Sequence, residues 1–247
     1  MSWGPTRNAG GSLDVPVVFF DDFIVFSIEQ EVSGDTNGAP ATFGTRDTDS
    51  EWDFVTTGAA VVSDHVSKVS HDGGLVRFTN GGSGGDRCSA ILPVGSFIFE
   101  RDRKLIYETR VRPSSTAMQF FLGLVEADDA SSNVAWESLD AGNLDEHVGF
   151  TMSADADIEY TSSSTDNTDN RATTAMDFTA SGWTTLRFEW DGRKAIKFFV
   201  DGDLVARETD PLKVPMDVLM TPTISLRSEG AASTLDIDYV FYLMERG

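Results

Sequence analysis

The chain has 247 residues, of which 40% are hydrophobic and 11% aromatic, so it can bury a core of its own and is not disordered as a whole. Forty acidic residues against 19 basic ones give a formal charge of −21. This charge argues strongly against binding to nucleic-acid phosphates and disfavours docking on anionic membranes. The single cysteine, Cys88, cannot form an internal disulfide, and we expect it to be a small buried residue.

Residues 1–16 are rich in Gly, Pro, Asn and Ser and have no periodicity that indicates a helix or strand. We predict an extended N-terminal arm over residues 1–16 and one folded domain over residues 17–247. The arm shows no basic stretch followed by an apolar run, so no export signal is recognised. Trp3, Pro5 and Arg7 are candidate anchors, because an aromatic side chain in an extended arm is suited to a neighbour's pocket and Arg7 would be attracted to acidic neighbours. A frayed terminus is the alternative.

Short strands follow from residue 17 onward, and no ten-residue segment has the 3.6-residue periodicity of a helix. The strands predicted before residue 182 are 17–26, 52–55, 61–69, 75–78, 90–99, 105–111, 118–127, 148–152 and 157–161. The main predicted loops are 28–50, 80–86, 128–146 and 162–174. Many short strands separated by turn signals are typical of a sandwich or jelly roll.

The last third of the chain alternates most regularly. Apolar residues alternate with polar ones over 185–190 and recur at every second position over 196–200, with Lys197 and Phe199 between them. Each run is followed by an Asp-Gly pair, at 191–192 and 201–202. Asp-Gly between two strands predicts a type I′ hairpin, whose central residues both need a positive φ. We predict that residues 182–247 form an antiparallel meander, with further strands at 204–207, 223–226 and 235–241.

Several runs resemble the concanavalin A-like lectin/glucanase (LamG-like jelly-roll) superfamily, and more narrowly a group of tailed-phage virion structural proteins with that fold. They are GGLVRFTNG (73–81), LIYETRVRP (105–113), FFLGLVEADD (120–129), HVGFTMSADADIEY (147–160), FFVDGDLVA (198–206) and TLDIDYVFY (234–242). The resemblance implies an all-β jelly-roll sandwich of two antiparallel sheets over roughly residues 17–247. It does not by itself imply one function, because the fold carries lectins, glycanases, lyases and scaffolds.

The sequence lacks a complete catalytic motif, and we predict that the protein is not an enzyme. Glycanases of this fold place carboxylates in a pattern like E-x-D-x-x-E, so that two of them face one cleft. The nearest match begins at Glu51 and Asp53 but has Thr56 where the second glutamate belongs. A polysaccharide lyase would need clustered Tyr, His and Arg, and no motif unites Tyr160 with Arg171.

We expect no cofactor and no metal, with Ca²⁺ as the alternative. Asp155, Asp157 and Glu159 share one face of a predicted strand. The simpler interpretation is that this face is solvated, and the more specific one is that it forms a Ca²⁺ site or a rim that faces a sugar. The loop 166–170 offers an oxygen ligand at every position but lacks the glycine and distal glutamate of an EF-hand loop.

Carbohydrate binding would need an exposed aromatic platform beside Asp or Asn acceptors. Trp52 and Trp136 are the candidates because both lie near loops, whereas Trp183 and Trp190 fit the pattern of core residues. A core or loop-anchoring role is the alternative for each.

The resemblance, the acidic composition and the arm together predict a non-enzymatic capsid decoration or auxiliary (cement) protein of a tailed bacteriophage. Such a protein would be made in the host cytoplasm and would bind the outer capsid shell. Its partners would be the major capsid protein and neighbouring copies of itself, as a homo-oligomer on the virion, with no nucleic acid and no membrane. The alternative is a lectin-like carbohydrate-binding module on a phage head or tail fibre, with surface glycans as partners.

Overall fold

The computed structural model describes residues 17–21, 52–57, 66–69, 74–80, 87–92, 97–116, 118–126, 146–152, 156–164, 171–228 and 232–245. These residues form sixteen strands and a 3₁₀ turn at Pro211–Lys213. The strands are β1 (Val17–Asp21), β2 (Asp53–Thr57), β3 (Val66–Lys68), β4 (Val76–Asn80), β5 (Arg87–Ile91), β6 (Phe97–Ile98), β7 (Leu105–Pro113), β8 (Met118–Glu126), β9 (His147–Met152), β10 (Asp157–Ser163), β11 (Ala172–Asp177), β12 (Thr184–Trp190), β13 (Ile196–Val200), β14 (Asp203–Glu208), β15 (Leu219–Ser228) and β16 (Ser233–Met244). No helix long and apolar enough to cross a membrane occurs in this part of the chain.

The strands form two antiparallel sheets of eight strands each. Sheet A has the order β14-β13-β12-β7-β16-β4-β3, and β1 also pairs with β16. Sheet B has the order β11-β10-β9-β8-β15-β5-β2, and β6 also pairs with β15. Neighbours that are distant in sequence, such as β7 and β16, lie side by side, as in a jelly roll. The prediction of an all-β sandwich of two antiparallel sheets is confirmed.

The core lies between the two sheets, and nearly all of its largest fully buried side chains are aromatic. The Tyr242 hydroxyl of sheet A donates to the Gly123 carbonyl of sheet B over 3.1 Å. Phe198 of sheet A contacts Phe150 and Tyr160 of sheet B, with ring centroids 5.5 and 4.7 Å apart. These contacts identify the inward face of each sheet, and the alternate residues of each strand therefore lie on its outer face.

Cys88 lies in this core, as expected, and burial raises the pKa of its thiol. Trp190 is also buried, and its indole Nε1–H donates to the Glu100 carbonyl over 2.9 Å. Trp183 is only half-buried, so the prediction that it belongs to the core is wrong. It precedes β12 by one residue and lies on the outer side of sheet A, where it contacts two arginines.

The two Asp-Gly pairs form different turns. Asp201 and Gly202 have φ angles of 50° and 89°, as the predicted type I′ turn requires. At Asp191 and Gly192 only the glycine has a positive φ, and five residues separate β12 from β13. There the Asp191 carboxylate accepts hydrogen bonds from the backbone amides of Arg193, Lys194 and Ala195. An Asx-type loop replaces the predicted two-residue turn, because this side chain caps three backbone donors.

The predicted C-terminal meander is correct for β12, β13 and β14 and wrong beyond them. Strand β15 crosses to sheet B and lies between β8 and β5, and β16 returns to sheet A between β7 and β4. Period-two alternation indicates that one face of a strand is buried, but it does not indicate which of two sheets the strand joins.

Other boundaries also differ from the prediction. The predicted strand 90–99 is divided, since β5 ends at Ile91 and β6 begins at Phe97. The predicted loop 162–174 includes the start of β11, an edge strand whose residues are exposed or half-buried except for Thr174 and give no apolar alternation. The arm predicted over residues 1–16 lies outside the described residues.

Candidate functional site

The outer face of sheet A carries a pocket of about 640 Å³, a volume within the usual range of small-ligand sites. Four strands contribute to it: β7, β12, β13 and β16. The lining residues are Glu108, Thr185, Arg187, Glu189, Phe199, Asp201, Gly202 and Tyr239.

Strand register brings these residues together. Arg187 on β12 lies directly opposite Glu108 on β7 and Phe199 on β13. Tyr239 lies on the other side of β7, where a shift in register between Ile237 and Tyr239 turns both Asp238 and Tyr239 toward the outer face, half-exposed.

Arg187 is the centre of the pocket's polar contacts. Its guanidinium pairs with Glu108 over 3.8 Å, forms a second ion pair with Glu189, and lies 5.6 Å from the centroid of the Phe199 ring. A guanidinium held between carboxylates and over an aromatic ring is fixed in position, because each contact limits its rotation.

The Tyr239 hydroxyl donates to Glu108 Oε1 over 2.7 Å. Burial raises the pKa of Tyr239, and the hydrogen bond to Glu108 raises it further. The phenol therefore remains a hydrogen-bond donor at neutral pH. Both oxygens of the Glu108 carboxylate are engaged, one by Tyr239 and one by Arg187.

A second cluster adjoins the pocket on the same face, and we call it the arginine cluster. It consists of Arg77, Arg110, Arg112, Trp183, Asp236 and Asp238. Arg110 lies directly opposite Thr185 on one neighbouring strand and Tyr239 on the other, and both of these residues line the pocket. The pocket and the arginine cluster therefore form one continuous surface.

Asp236 organises the arginine cluster. Its carboxylate accepts from Arg77 at 2.6 and 2.9 Å and from Arg112 at 3.1 and 2.6 Å. Burial alone would raise the pKa of Asp236, but the hydrogen bonds and charges of the two arginines outweigh burial and lower it. The guanidinium carbons of Arg110 and Arg112 lie 4.9 and 4.7 Å from the Trp183 ring centroid.

The outer face of sheet B is different, since several of its outward side chains are buried as well. Phe121, His147, Thr151 and Thr161 all occupy outward positions and are at most 2% exposed. The His147 ring nitrogen Nε2 lies 2.7 Å from Thr161 Oγ1, and a Cβ atom added to Gly149 would lie 2.8 Å from the Phe121 ring. The described part of this face offers no open aromatic platform.

The structure corrects one of the predicted sugar-binding residues. Trp52 is 4% exposed and packs in the hydrophobic core, so its ring is not available as a platform. The other predicted site residues, Trp3, Pro5, Arg7 and Trp136, lie outside the described residues.

Only some of the residues predicted as alternative Ca²⁺ ligands lie within the described part of the chain. Asp157 and Glu159 lie on β10, and Glu159 accepts a hydrogen bond from Thr151 over 3.2 Å. Asp155 and the loop 166–170 lie outside the described residues. Among the residues that are described, no group of three His, Cys, Asp or Glu side chains is arranged to hold a metal ion.

The pocket residues were not found from sequence. Glu108, Arg187, Phe199 and Tyr239 occupy the outward positions of regular strands, where a charged or aromatic residue usually indicates only a solvated face. Their juxtaposition depends on β16 lying beside β7 and on the register shift before Tyr239. A search for outward aromatic residues two positions from charged ones could have drawn attention to β13, where Phe199 lies between Lys197 and Asp201.

The fold is a jelly-roll sandwich of two antiparallel sheets, as the sequence predicted. No protein family and no curated protein matches the sequence, whereas solved structures match over nearly the whole chain. The endo-1,3-β-glucanase of Streptomyces sioyaensis is 16% identical with a TM-score of 0.59, covering 99% of this chain and 100% of the glucanase. Peanut lectin is 11% identical with a TM-score of 0.60, covering 94% and 100%. The laminarinase of Flavobacterium sp. UMI-01 is 14% identical with a TM-score of 0.54, covering 84% and 99%. At these identities the similarity establishes the fold alone.

Proposed function

We propose that this protein is a non-enzymatic carbohydrate-binding protein and that the pocket on sheet A takes a sugar unit. The observation that carries the proposal is the combination of Glu108, Glu189 and Asp201 with the half-exposed rings of Phe199 and Tyr239 in one pocket. Carboxylate oxygens accept hydrogen bonds from sugar hydroxyls, and aromatic rings pack against the apolar faces of sugar rings. Solved structures of the same fold include proteins named as glucanases and as a lectin, which supports the proposal by analogy.

The contacts that the pocket's carboxylates make support binding rather than hydrolysis. A retaining glycosidase needs two carboxylates flanking the scissile bond, one as nucleophile and one as proton donor. Here Glu108 and Glu189 hold the same guanidinium, and Glu108 also accepts from Tyr239. Arg187 therefore occupies the position between them that a scissile bond would need.

Oligosaccharide binding by isothermal titration, together with an assay for newly formed reducing ends, tests this proposal. We expect saturable binding of a neutral oligosaccharide without cleavage, and a loss of affinity of at least about fivefold in Phe199→Ala. Thr173→Ala, an exposed residue on the edge strand β11, is the matched control and should bind like the wild type. Release of reducing ends would contradict the non-enzymatic assignment, and equal affinity in the two variants would contradict the location of the site.

A virion role is the second candidate, and it is favoured by the runs that resemble tailed-phage structural proteins on both sheets. We propose that the sandwich decorates the outer capsid shell, with the major capsid protein and neighbouring copies as partners. In this role residues 1–16 would tie adjacent subunits together, and many weak contacts repeated over the lattice would give avidity.

Co-sedimentation with matching empty capsids tests the virion role, using the full chain and a variant lacking residues 1–16. Saturable binding that truncation abolishes would support decoration through the arm, and binding by both proteins would support decoration without it. Absence of binding by the full chain would contradict decoration and leave the sugar-binding proposal unaffected.

A further inference from the structure

We propose that the arginine cluster binds an acidic group of the glycan, so that the sugar chain recognised by this protein carries carboxylate or sulfate groups. This inference rests on the proposed function, because it extends the sugar site from the pocket along β7. The pocket would hold sugar hydroxyls, and the arginine cluster would hold the anion.

The first reason is that the arginines are fixed in place before any ligand arrives. The buried Asp236 carboxylate holds both Arg77 and Arg112, and Trp183 lies under the guanidinium groups of Arg110 and Arg112. Side chains that are already ordered lose little entropy on binding, and planar guanidinium groups match carboxylate and sulfate oxygens.

The second reason is that the fixed arginines keep unused donors. Arg112 donates to Asp236 through Nε and Nη2, and Arg110 donates to Asp238 through Nη1. Within the described part of the chain, Arg112 Nη1 and both Nε and Nη2 of Arg110 have no hydrogen-bond partner. The Arg110 side chain is 43% exposed and that of Arg112 is 32% exposed, so a ligand can reach these donors.

The third reason is local charge. The arginine cluster combines three guanidinium groups with two carboxylates, which leaves one positive charge on a chain whose formal charge is −21. Long-range repulsion from the rest of the molecule opposes any polyanion. If the protein binds a polyanion more tightly than an uncharged polymer, the cause must therefore be a specific local contact rather than general attraction.

The fourth reason is geometry along β7. Glu108, Arg110 and Arg112 occupy alternate positions on the same face, so neighbouring members are about 7 Å apart along the strand. A sugar chain that follows β7 from the pocket would pass directly over Arg110. An acidic protein segment offers the same carboxylates, but it would not use the hydroxyl acceptors and aromatic walls of the adjoining pocket.

Three polymers with one backbone test the inference: dextran, carboxymethyl dextran and dextran sulfate. Their binding is measured by biolayer interferometry at about 0.15 M salt, where the screening length is about 8 Å. The variant is Arg110→Gln, which keeps the Asp236 ion pairs. The control is Arg193→Gln, which removes the same charge from a 79% exposed side chain in the loop between β12 and β13. Thermal unfolding of both variants checks that they are folded.

We expect at least one charged polymer to bind about tenfold more tightly than dextran, with this preference reduced at least fivefold in Arg110→Gln and unchanged in Arg193→Gln. The two charged polymers distinguish carboxylate from sulfate. Equal binding of all three polymers, or equal losses in the two variants, would overturn the acidic-glycan inference while leaving neutral sugar binding intact. Absence of binding to any polymer or neutral oligosaccharide would overturn the proposed function as well. Poly-glutamate, measured in the same way, represents an acidic protein. If it binds, if Arg110→Gln abolishes this binding, and if no glycan binds, the arginine cluster belongs to an acidic protein partner and the inference is overturned.

Discussion

The outer faces of the two sheets are built by the same alternation of residues but have opposite characters. On sheet A the outward side chains include Glu108, Arg110, Arg187 and Tyr239, which are half-exposed and linked by ion pairs and hydrogen bonds. On sheet B the outward positions hold residues such as Phe121, which is fully buried. A ligand approaching the described residues therefore meets fixed charges and rings on sheet A and no comparable open surface on sheet B.

Strands β8 and β9 of sheet B approach each other closely at a pair of glycines. Gly123 and Gly149 are directly paired, and a Cβ atom on either would meet backbone oxygen, at 2.2 Å from Val148 and 2.6 Å from Leu122 respectively. These glycines fix the packing of sheet B, whereas the corresponding feature of sheet A is its network of charges. Substitution of either glycine should therefore reduce stability, and substitutions of the pocket residues on sheet A should reduce binding.

The largest predicted effect is that of Gly149→Ala on stability. The added methyl group would overlap both the Leu122 carbonyl and the Phe121 ring, and the paired backbone cannot move aside. We expect the free energy of unfolding to fall by about 3 kcal/mol. Gly202→Ala is the comparison, since no atom lies within 4 Å of its Cβ position and only its φ of +89° opposes alanine, which should lower stability by about 1 kcal/mol. Urea unfolding of both variants measures the difference, and the reverse order would contradict this account of sheet B.

Asp236→Asn should have the next largest effect. It removes the buried charge that holds Arg77 and Arg112, and breaking such a pair leaves uncompensated partners. Because both arginines are about one-third exposed and can be solvated in part, we expect a loss of about 2 kcal/mol at pH 7. A loss below about 0.5 kcal/mol in chemical unfolding would show that Asp236 does not organise the arginine cluster.

The same carboxylate predicts a pH dependence. The pKa of Asp236 is lowered in the folded protein relative to its ordinary value of 3.8. Its contribution to stability is therefore fully present above about pH 5 and is lost as the pH falls through the lowered pKa. The difference in stability between the wild type and Asp236→Asn should shrink below about pH 4. A difference that stays constant from pH 7 to pH 3 would contradict the ion-pair assignment.

The smallest effect should be that of Tyr239→Phe. It removes one hydroxyl, leaves the ring in place and breaks one hydrogen bond to Glu108, so stability should change by about 1 kcal/mol or less. Affinity for the oligosaccharide should fall about three- to tenfold, because the Glu108 carboxylate loses the contact that orients it. Titration calorimetry measures this change, and unchanged affinity would place the sugar elsewhere than beside Tyr239.

The fold could be predicted from sequence more completely than the site. Alternation over 185–190 and 196–200 and the Asp-Gly pair at 201–202 are local signals, and the strands and hairpin follow from them. The position of β15 in sheet B is determined by packing between distant segments, and the local alternation of residues does not indicate it. Trp52 shows the same limit, because proximity to a loop suggested exposure whereas the core buries it. The pocket requires register between β7, β12, β13 and β16, which no single segment specifies.

The most direct test of the central proposal is hydroxyl-radical footprinting with and without a bound oligosaccharide. Oxidation of a side chain depends on its solvent exposure, so a ligand in the pocket should protect Phe199 and Tyr239, and an acidic glycan should also protect Trp183. Leu212, which is 71% exposed and is not among the pocket's lining residues, should be oxidised equally in both states. Protection of these rings would support binding on sheet A. Saturable binding that leaves Phe199 and Tyr239 unprotected would contradict it.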